Sequence, residues 1–203
     1  SYQLYRDVIE WSKKNPRTNY LVIVPDQFTM QTQKDIVDMH DKHGIMNIDV
    51  LSFGRLSYRI FEEVGGNDKP ILDDTGKSLI LRKVASTLET ELPAIGSNLK
   101  KIGYIHEVKS AISEFMQYSI GSKELEQMIE CAKQRGSLQY KLKDLKVLYD
   151  GFTEHIKEKF ITTEESLTLL KNVLHKSEII KNSVVVFDGF TGFTPIQNAL
   201  IQE

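Results

Sequence analysis

Residues 184–197 read VVVFDGFTGFTPIQ. Three valines and a phenylalanine, apolar without alternation, predict a strand over Val184 to Phe187 covered on both faces, as in a parallel sheet. The strand runs into Asp188 and then a loop rich in glycine and phenylalanine. Thr194-Pro195-Ile196-Gln197 follows, a capping box with proline at the first helical position. Strand, loop and capped helix therefore follow one another without a break.

Working outward, the same grammar recurs twice. Tyr20 to Val24 and Ile48 to Leu51 are also near-continuous apolar runs. After the first, Thr29 is expected to cap a helix reaching about Met39. After the second, Ser52 caps a helix carrying Leu56, Ile60, Phe61 and Val64, stopped by Gly65-Gly66. Three such units predict an α/β fold: a three-layer core around a parallel sheet. From 71 to 180 the pattern is helical only, with apolar periods through Leu79 to Val84, Ile105 to Met116, Leu125 to Ile129, Leu142 to Ile156 and Leu167 to Val173. The expected organisation is a discontinuous core, 1–70 plus 181–203, interrupted by an all-helical insertion, 71–180. Both ends read as cut. Ser1 opens a helix-like stretch with no strand before it, and Gln202-Glu203 falls inside the helix that Thr194 starts.

The 203 residues are 40% apolar and 27% charged, ordinary for a cored soluble protein. No apolar run approaches the ~20 residues of a membrane span, so no membrane association and a cytoplasmic, reducing setting are expected. The net charge of −2 leaves any nucleic acid to be held by a local surface. Cys131, the single cysteine, excludes an internal disulfide and reads as a small buried residue of a helix.

Several stretches invite chemistry. Asp73-Asp74-Thr75-Gly76-Lys77-Ser78 ends like a phosphate-binding loop, but Ile71 stands where that loop needs its first glycine, and a turn precedes it instead of a strand. Asp73 or Asp74 reads as a helix cap. The five histidines lack ligand spacing, and Glu62-Glu63 and Glu164-Glu165 read as solvated faces or dipole partners. Lys133 to Lys146 is the most basic stretch, either a solvated face or a phosphate-contacting surface. Asp188 is either a strand-ending aspartate or a magnesium contact.

Taken together, LVIVPDQFTMQTQ (21–33), IDVLSFGRLSYRIFEEVGG (48–66) and VVVFDGFTGFTPIQ resemble the B subunit of the AddAB-type ATP-dependent helicase–deoxyribonuclease. The likeness continues through DDTGKSLILRKV, HEVKSAISEFMQY, YKLKDLKVLYDGF and FITTEESLTLL, so it covers essentially the whole chain. The resemblance implies an incomplete P-loop-NTPase core of the superfamily-one helicase type, from a heterodimeric complex that unwinds and resects broken DNA for recombinational repair. It places the family's phosphate loop before Ser1, which is either that loop's final Ser/Thr or a cloning remnant. It places the nuclease and its iron–sulfur cluster beyond Glu203. Four cluster ligands could not come from one cysteine in any case.

In a working helicase the strand ends in Asp-Glu, the second carboxylate activating water. Here Gly189 follows Asp188, a degenerate Walker-B-like pair that keeps a possible magnesium contact and lacks the base. The resemblance implies a chain that is itself non-catalytic, needs no cofactor of its own, and scans single-stranded DNA for a regulatory (Chi-type) sequence. The implied DNA-binding residues are Gln27, Thr29, Phe53, Arg55, Tyr58, Phe190 and Phe193. They follow the three strands, where α/β proteins bind ligands. The parent protein would use ATP with magnesium and bind a partner A subunit. Two alternatives stay open: a truncated ATPase motor, and a structural module that docks the A subunit.

Overall fold

The computed structural model describes residues 1–203, leaving aside the side chain of Ile102. In chain order the elements are α1 (Tyr2–Lys14), β1 (Asn19–Ile23), α2 (Thr29–Met39), β2 (Ile48–Leu51), α3 (Phe53–Val64), β3 (Ile71–Leu72), α4 (Asp74–Thr87) and α5 (Ile102–Gln117). They continue with α6 (Ser122–Cys131), α7 (Gly136–Ile156), β4 (Ile161–Thr162), α8 (Thr163–Val173), α9 (Glu178–Lys181), β5 (Ser183–Phe187) and α10 (Pro195–Gln202). The fold is mixed α/β, mostly helical with a small parallel sheet. The chain divides into two compact units, Ser1–Asp68 with Ser166–Glu203, and Lys69–Glu165.

The first unit holds a parallel sheet ordered β2-β1-β5, with Tyr20 opposite Ile48 and Val184, and Ile23 opposite Leu51 and Phe187. Side chains of a strand alternate between faces, and β1 serves two cores accordingly. Tyr20, Val22 and Val24 pack with Tyr5, Val8 and Ile9 of α1 and Ile36 of α2. Leu21 and Ile23 pack with Phe53, Leu56 and Ile60 of α3, Leu167 and Leu170 of α8, and Leu200 of α10. Full burial of such a side chain contributes about 1.5–3 kcal/mol, so the central strand anchors both layers. β5 is covered on both faces only in part: Val186 packs on the α1/α2 side and Val185 and Phe187 on the α3/α8/α10 side, while Val184 is 38% exposed.

The second unit packs α4, α5 and α7 around Leu81, Val84, Ile112, Leu148 and Phe152. Two departures from the sequence reading concern this region. Two short strands, β3 and β4, pair in parallel (Ile71 with Ile161, Leu72 with Thr162) inside an interval read as purely helical. Two-residue strands carry too little pattern to register in the sequence. The division also falls at residues 68/69 and 165/166 rather than at 70 and 181. The capping box of α8 forms as expected, Thr162 Oγ1 accepting from the Glu165 N–H and Glu165 accepting in return from the Thr162 N–H. Beyond it, Leu167 and Leu170 join the first unit's core. Leu79, expected as an apolar helix position, is 61% exposed.

Candidate nucleic-acid interface

The carboxyl ends of the three sheet strands gather one set of loops. β1 runs through Val24-Pro25 into a single 3₁₀ turn, Asp26–Phe28, closed by the Phe28 N–H on the Pro25 carbonyl at 2.9 Å. β2 leads to Ser52, whose hydroxyl caps α3 through the Arg55 N–H. β5 leads to Asp188, whose N–H donates to the Ile23 carbonyl at 3.0 Å and so holds it beside the end of β1. These loops, with Gln197 of α10, enclose a cleft of about 440 Å³. Its described lining includes Gln27, Phe28, Phe53, Phe190 and the glycines 189 and 192, but neither lysine nor arginine.

The residues implied by resemblance are only partly brought together here. Gln27 is exposed and lines the cleft with Phe53 and Phe190. Phe193 joins them by ring contacts, 4.9 Å from Phe190 and 6.4 Å from Phe53. Phe187 completes a four-ring cluster. Phe53 is only 6% exposed, so much of this aromatic surface is spent on packing. Arg55 and Tyr58 are exposed on α3, outside the cleft lining. Thr29 is buried, its hydroxyl donating to the Asp26 carbonyl at 2.9 Å. It is the first residue of α2 rather than its cap, because the 3₁₀ turn places Phe28 at that position. Phe28, which sequence reasoning passed over, is 45% exposed and lines the cleft. Its position between Gln27 and Thr29 was the available signal.

Asp188 is a bound acceptor. The Tyr5 hydroxyl donates to its Oδ2 at 2.5 Å and Ser1 Oγ to its Oδ1 at 3.1 Å. Burial works to raise this carboxyl, but the bonds from Tyr5 and Ser1 outweigh it and hold it below the usual carboxylate range. Burial, and then donation to Asp188, push the Tyr5 phenol up. Both oxygens are thus hydrogen-bonded, and no group of three His, Cys, Asp or Glu side chains placed to hold a metal ion occurs among the described residues. Gly189 has φ of 76°, a left-handed conformation that costs an L-residue about 1–2 kcal/mol. A Cβ there would meet Pro25 and Phe28 at an ordinary 3.5–3.6 Å. The hand of the backbone, and not crowding, reserves this position for glycine.

The other stretches resolve into structure. Asp73 caps α4 through the Gly76 N–H at 2.7 Å. Lys77 is 3% exposed, its Nζ 2.8 Å from Glu164 and 3.1 Å from Ser113. A Cβ at Gly76 would fall 2.5 Å from Leu72, so packing explains that glycine. Glu164 is thus a buried ion-pair partner and not a solvated face. Glu63 accepts from Ser177 and from the N–H groups of Glu178 and Ile179, which holds its carboxyl below the usual range. In the basic stretch, Lys133 pairs with Glu130, and Lys146 with Glu126 and Asp150, while Arg135, Lys141 and Lys143 stay exposed. Cys131 is exposed and not buried, since Leu125 and Ala132 take the core-facing positions around it. No described helix is long and apolar enough to cross a membrane.

The sequence model of a family described as ADDB, N-terminal, matches residues 1–203. The B subunit of an ATP-dependent helicase/deoxyribonuclease from Lachnoclostridium phytofermentans is 51% identical over 99% of this chain, and the chain covers 18% of that protein. Proteins of the same name from Alkaliphilus metalliredigens and Clostridium tetani are 31% and 29% identical over 96% and 100% of the chain, which covers 17% and 18% of them. The chain therefore spans less than a fifth of the length of these relatives. With its whole length matched, the chain belongs to the ADDB N-terminal family.

Proposed function

We propose that this chain is a helicase-like domain, itself non-catalytic, that binds and scans single-stranded DNA for a regulatory sequence within a DNA-repair helicase–nuclease. The observation that carries the reading is Gly189. It follows Asp188 where a water-activating glutamate would be needed, in a conformation that disfavours any other residue. The adjoining cleft offers rings, the side-chain amides of Gln27 and Gln197 and the carboxylate of Asp26, without a cation, a lining suited to bases more than to a triphosphate. Arg55, exposed on α3, supplies a charge for base edges or phosphate.

On this reading the helicase activity, the ATP and magnesium it consumes, the iron–sulfur cluster and the nuclease belong to other parts of the assembly. The A subunit and broken DNA are its partners. A motor-domain reading has one observation in its favour. Ser1 Oγ touches Asp188, the pair of residue types that holds magnesium in P-loop enzymes.

The test is fluorescence-anisotropy titration of a labelled single-stranded oligonucleotide with this chain across a salt series. Binding is expected to weaken as salt rises, and Arg55→Ala to reduce both affinity and salt slope. Absence of binding at low salt overturns the reading and favours a module that only docks the A subunit. Phosphate release from ATP, abolished by Asp188→Ala, favours the motor.

A further inference from the structure

We propose that a second cleft, between α6 and α7 in the helical unit, is a docking surface for an acidic amphipathic helix of a protein partner. The proposal is independent of the single-stranded-DNA reading above. The end of α6, the turn after it and the start of α7 enclose about 480 Å³. Ala132 and Leu142 are the buried part of the lining. Met128 and Leu138 stand beside them 37% and 41% exposed, and the Cys131 thiol is exposed as well. Gln134 and Arg135 are the polar side chains of the lining. An apolar cleft with an adaptable methionine at its mouth is the kind of surface that takes up one face of a helix.

Charge selects the occupant. From Glu124 to Asp150 every acidic side chain is already engaged within the protein. Glu124 accepts from the Gly121 N–H, Glu126 and Asp150 pair with Lys146, and Glu130 pairs with Lys133. The buried Asp144 accepts from the Ala94 and Ile95 N–H groups. Arg135 in the lining and Lys141, exposed three positions beyond Leu138, form no ion pair among the described residues. Positions three apart are neighbours on a helix surface. The apolar floor therefore carries uncompensated positive charge at its rim, which fits carboxylates flanking an apolar stripe. A nucleic acid would meet that charge and leave the floor unused. No described lining residue is aromatic, and the nearby Tyr140 ring already has the Lys143 Nζ 5.5 Å from its centroid. A helix meets both demands, since its side chains at i, i+3 or i+4 and i+7 form one ridge about 10 Å long.

The test reads the cleft through Cys131, the single thiol of the chain. Its rate of reaction with an uncharged maleimide is followed while a synthetic, cysteine-free peptide is titrated in. The peptide has about 18 residues, enough to hold a helix, with leucines at i, i+3 and i+7 and glutamates flanking them. A scrambled peptide of the same composition is the control. The ordered peptide is expected to slow the reaction saturably and the scrambled one to leave it unchanged. Reversing the rim, Arg135→Glu with Lys141→Glu, should weaken that protection roughly 10-fold. A peptide with lysine in place of glutamate should then protect the reversed chain. Melting temperature should stay near wild type, because both side chains are exposed and unpaired. Leu138→Gln, which keeps the charge and removes apolar surface, should weaken protection of an otherwise wild-type chain by the acidic peptide. Cys131 reacting at its free rate in excess ordered peptide overturns the proposal, as does equal protection by the scrambled one. So does protection that ignores both the charge reversal and Leu138→Gln. Protection by a single-stranded oligonucleotide in place of the peptide assigns the cleft to nucleic acid and also overturns it.

Discussion

Gly76-Lys77-Ser78 and Asp188-Gly189 each imitate part of a nucleotide-hydrolysing site, and the molecule treats them in opposite ways. The lysine of the first is withdrawn from solvent and neutralised by Glu164, with Ser113 accepting a further bond. The aspartate of the second ends a sheet strand beside an open cleft, its carboxylate tied to α1 by Tyr5. Residue types alone do not make a phosphate site. What matters is whether the charged group is drawn into the interior and paired there, and whether the backbone around it is left open.

The contrast breaks most visibly at Lys77. Lys77→Ala strands a buried carboxylate, and urea denaturation should show a loss of about 3–5 kcal/mol. Replacing both partners, Lys77→Met with Glu164→Leu, should recover most of that loss, because two apolar groups of similar size leave no unpaired charge. A Lys77→Ala chain as stable as wild type would mean that the lysine is free, as a phosphate ligand would be.

At the other motif the expected effect is smaller and depends on pH. Tyr5→Phe removes a hydrogen bond to a charged acceptor, a loss of about 1.5–3 kcal/mol near neutrality. The Asp188 carboxyl is held below its ordinary value, so its contribution is present above the unfolded-state pKa and disappears as pH falls through the folded one. The Tyr5 phenol is pushed up, so the neutral hydroxyl it needs is lost only as pH rises through and beyond the ordinary tyrosine range. Wild type and Tyr5→Phe should therefore differ in stability across neutral pH and converge toward acid. Parallel denaturation curves from acid to neutral pH would show that the Tyr5–Asp188 bond contributes nothing.

The smallest expected effect sharpens the comparison at Gly189. Gly189→Glu should cost about 1–2 kcal/mol in melting experiments, because φ of 76° is left-handed. On the proposed non-catalytic reading it should produce no ATP hydrolysis, since Lys77 is already paired with Glu164 and the cleft beside Gly189 is lined by neither lysine nor arginine. Hydrolysis restored by that one substitution would return this loop to the catalytic reading.

What the sequence determined by itself was the part written in short-range chemistry. The three sheet strands, the caps at Ser52, Asp73, Thr162 and Thr194, and the stop at Gly65 all depend on a few adjacent residues satisfying one another's backbone groups. Tertiary structure decided what lies beyond that range. Lys77 meets Glu164 across 87 positions, which no local pattern announces. β3 and β4 are strands only because each has the other to pair with. The rings divide the same way. Phe53, Phe190 and Phe193 were legible as aromatics at strand ends, but their mutual packing, and the exposure of Phe28 beside them, follow from how three loops converge at one edge of a sheet. Whether a ring packs or stays open to a ligand is set by neighbours that come together only when the chain folds.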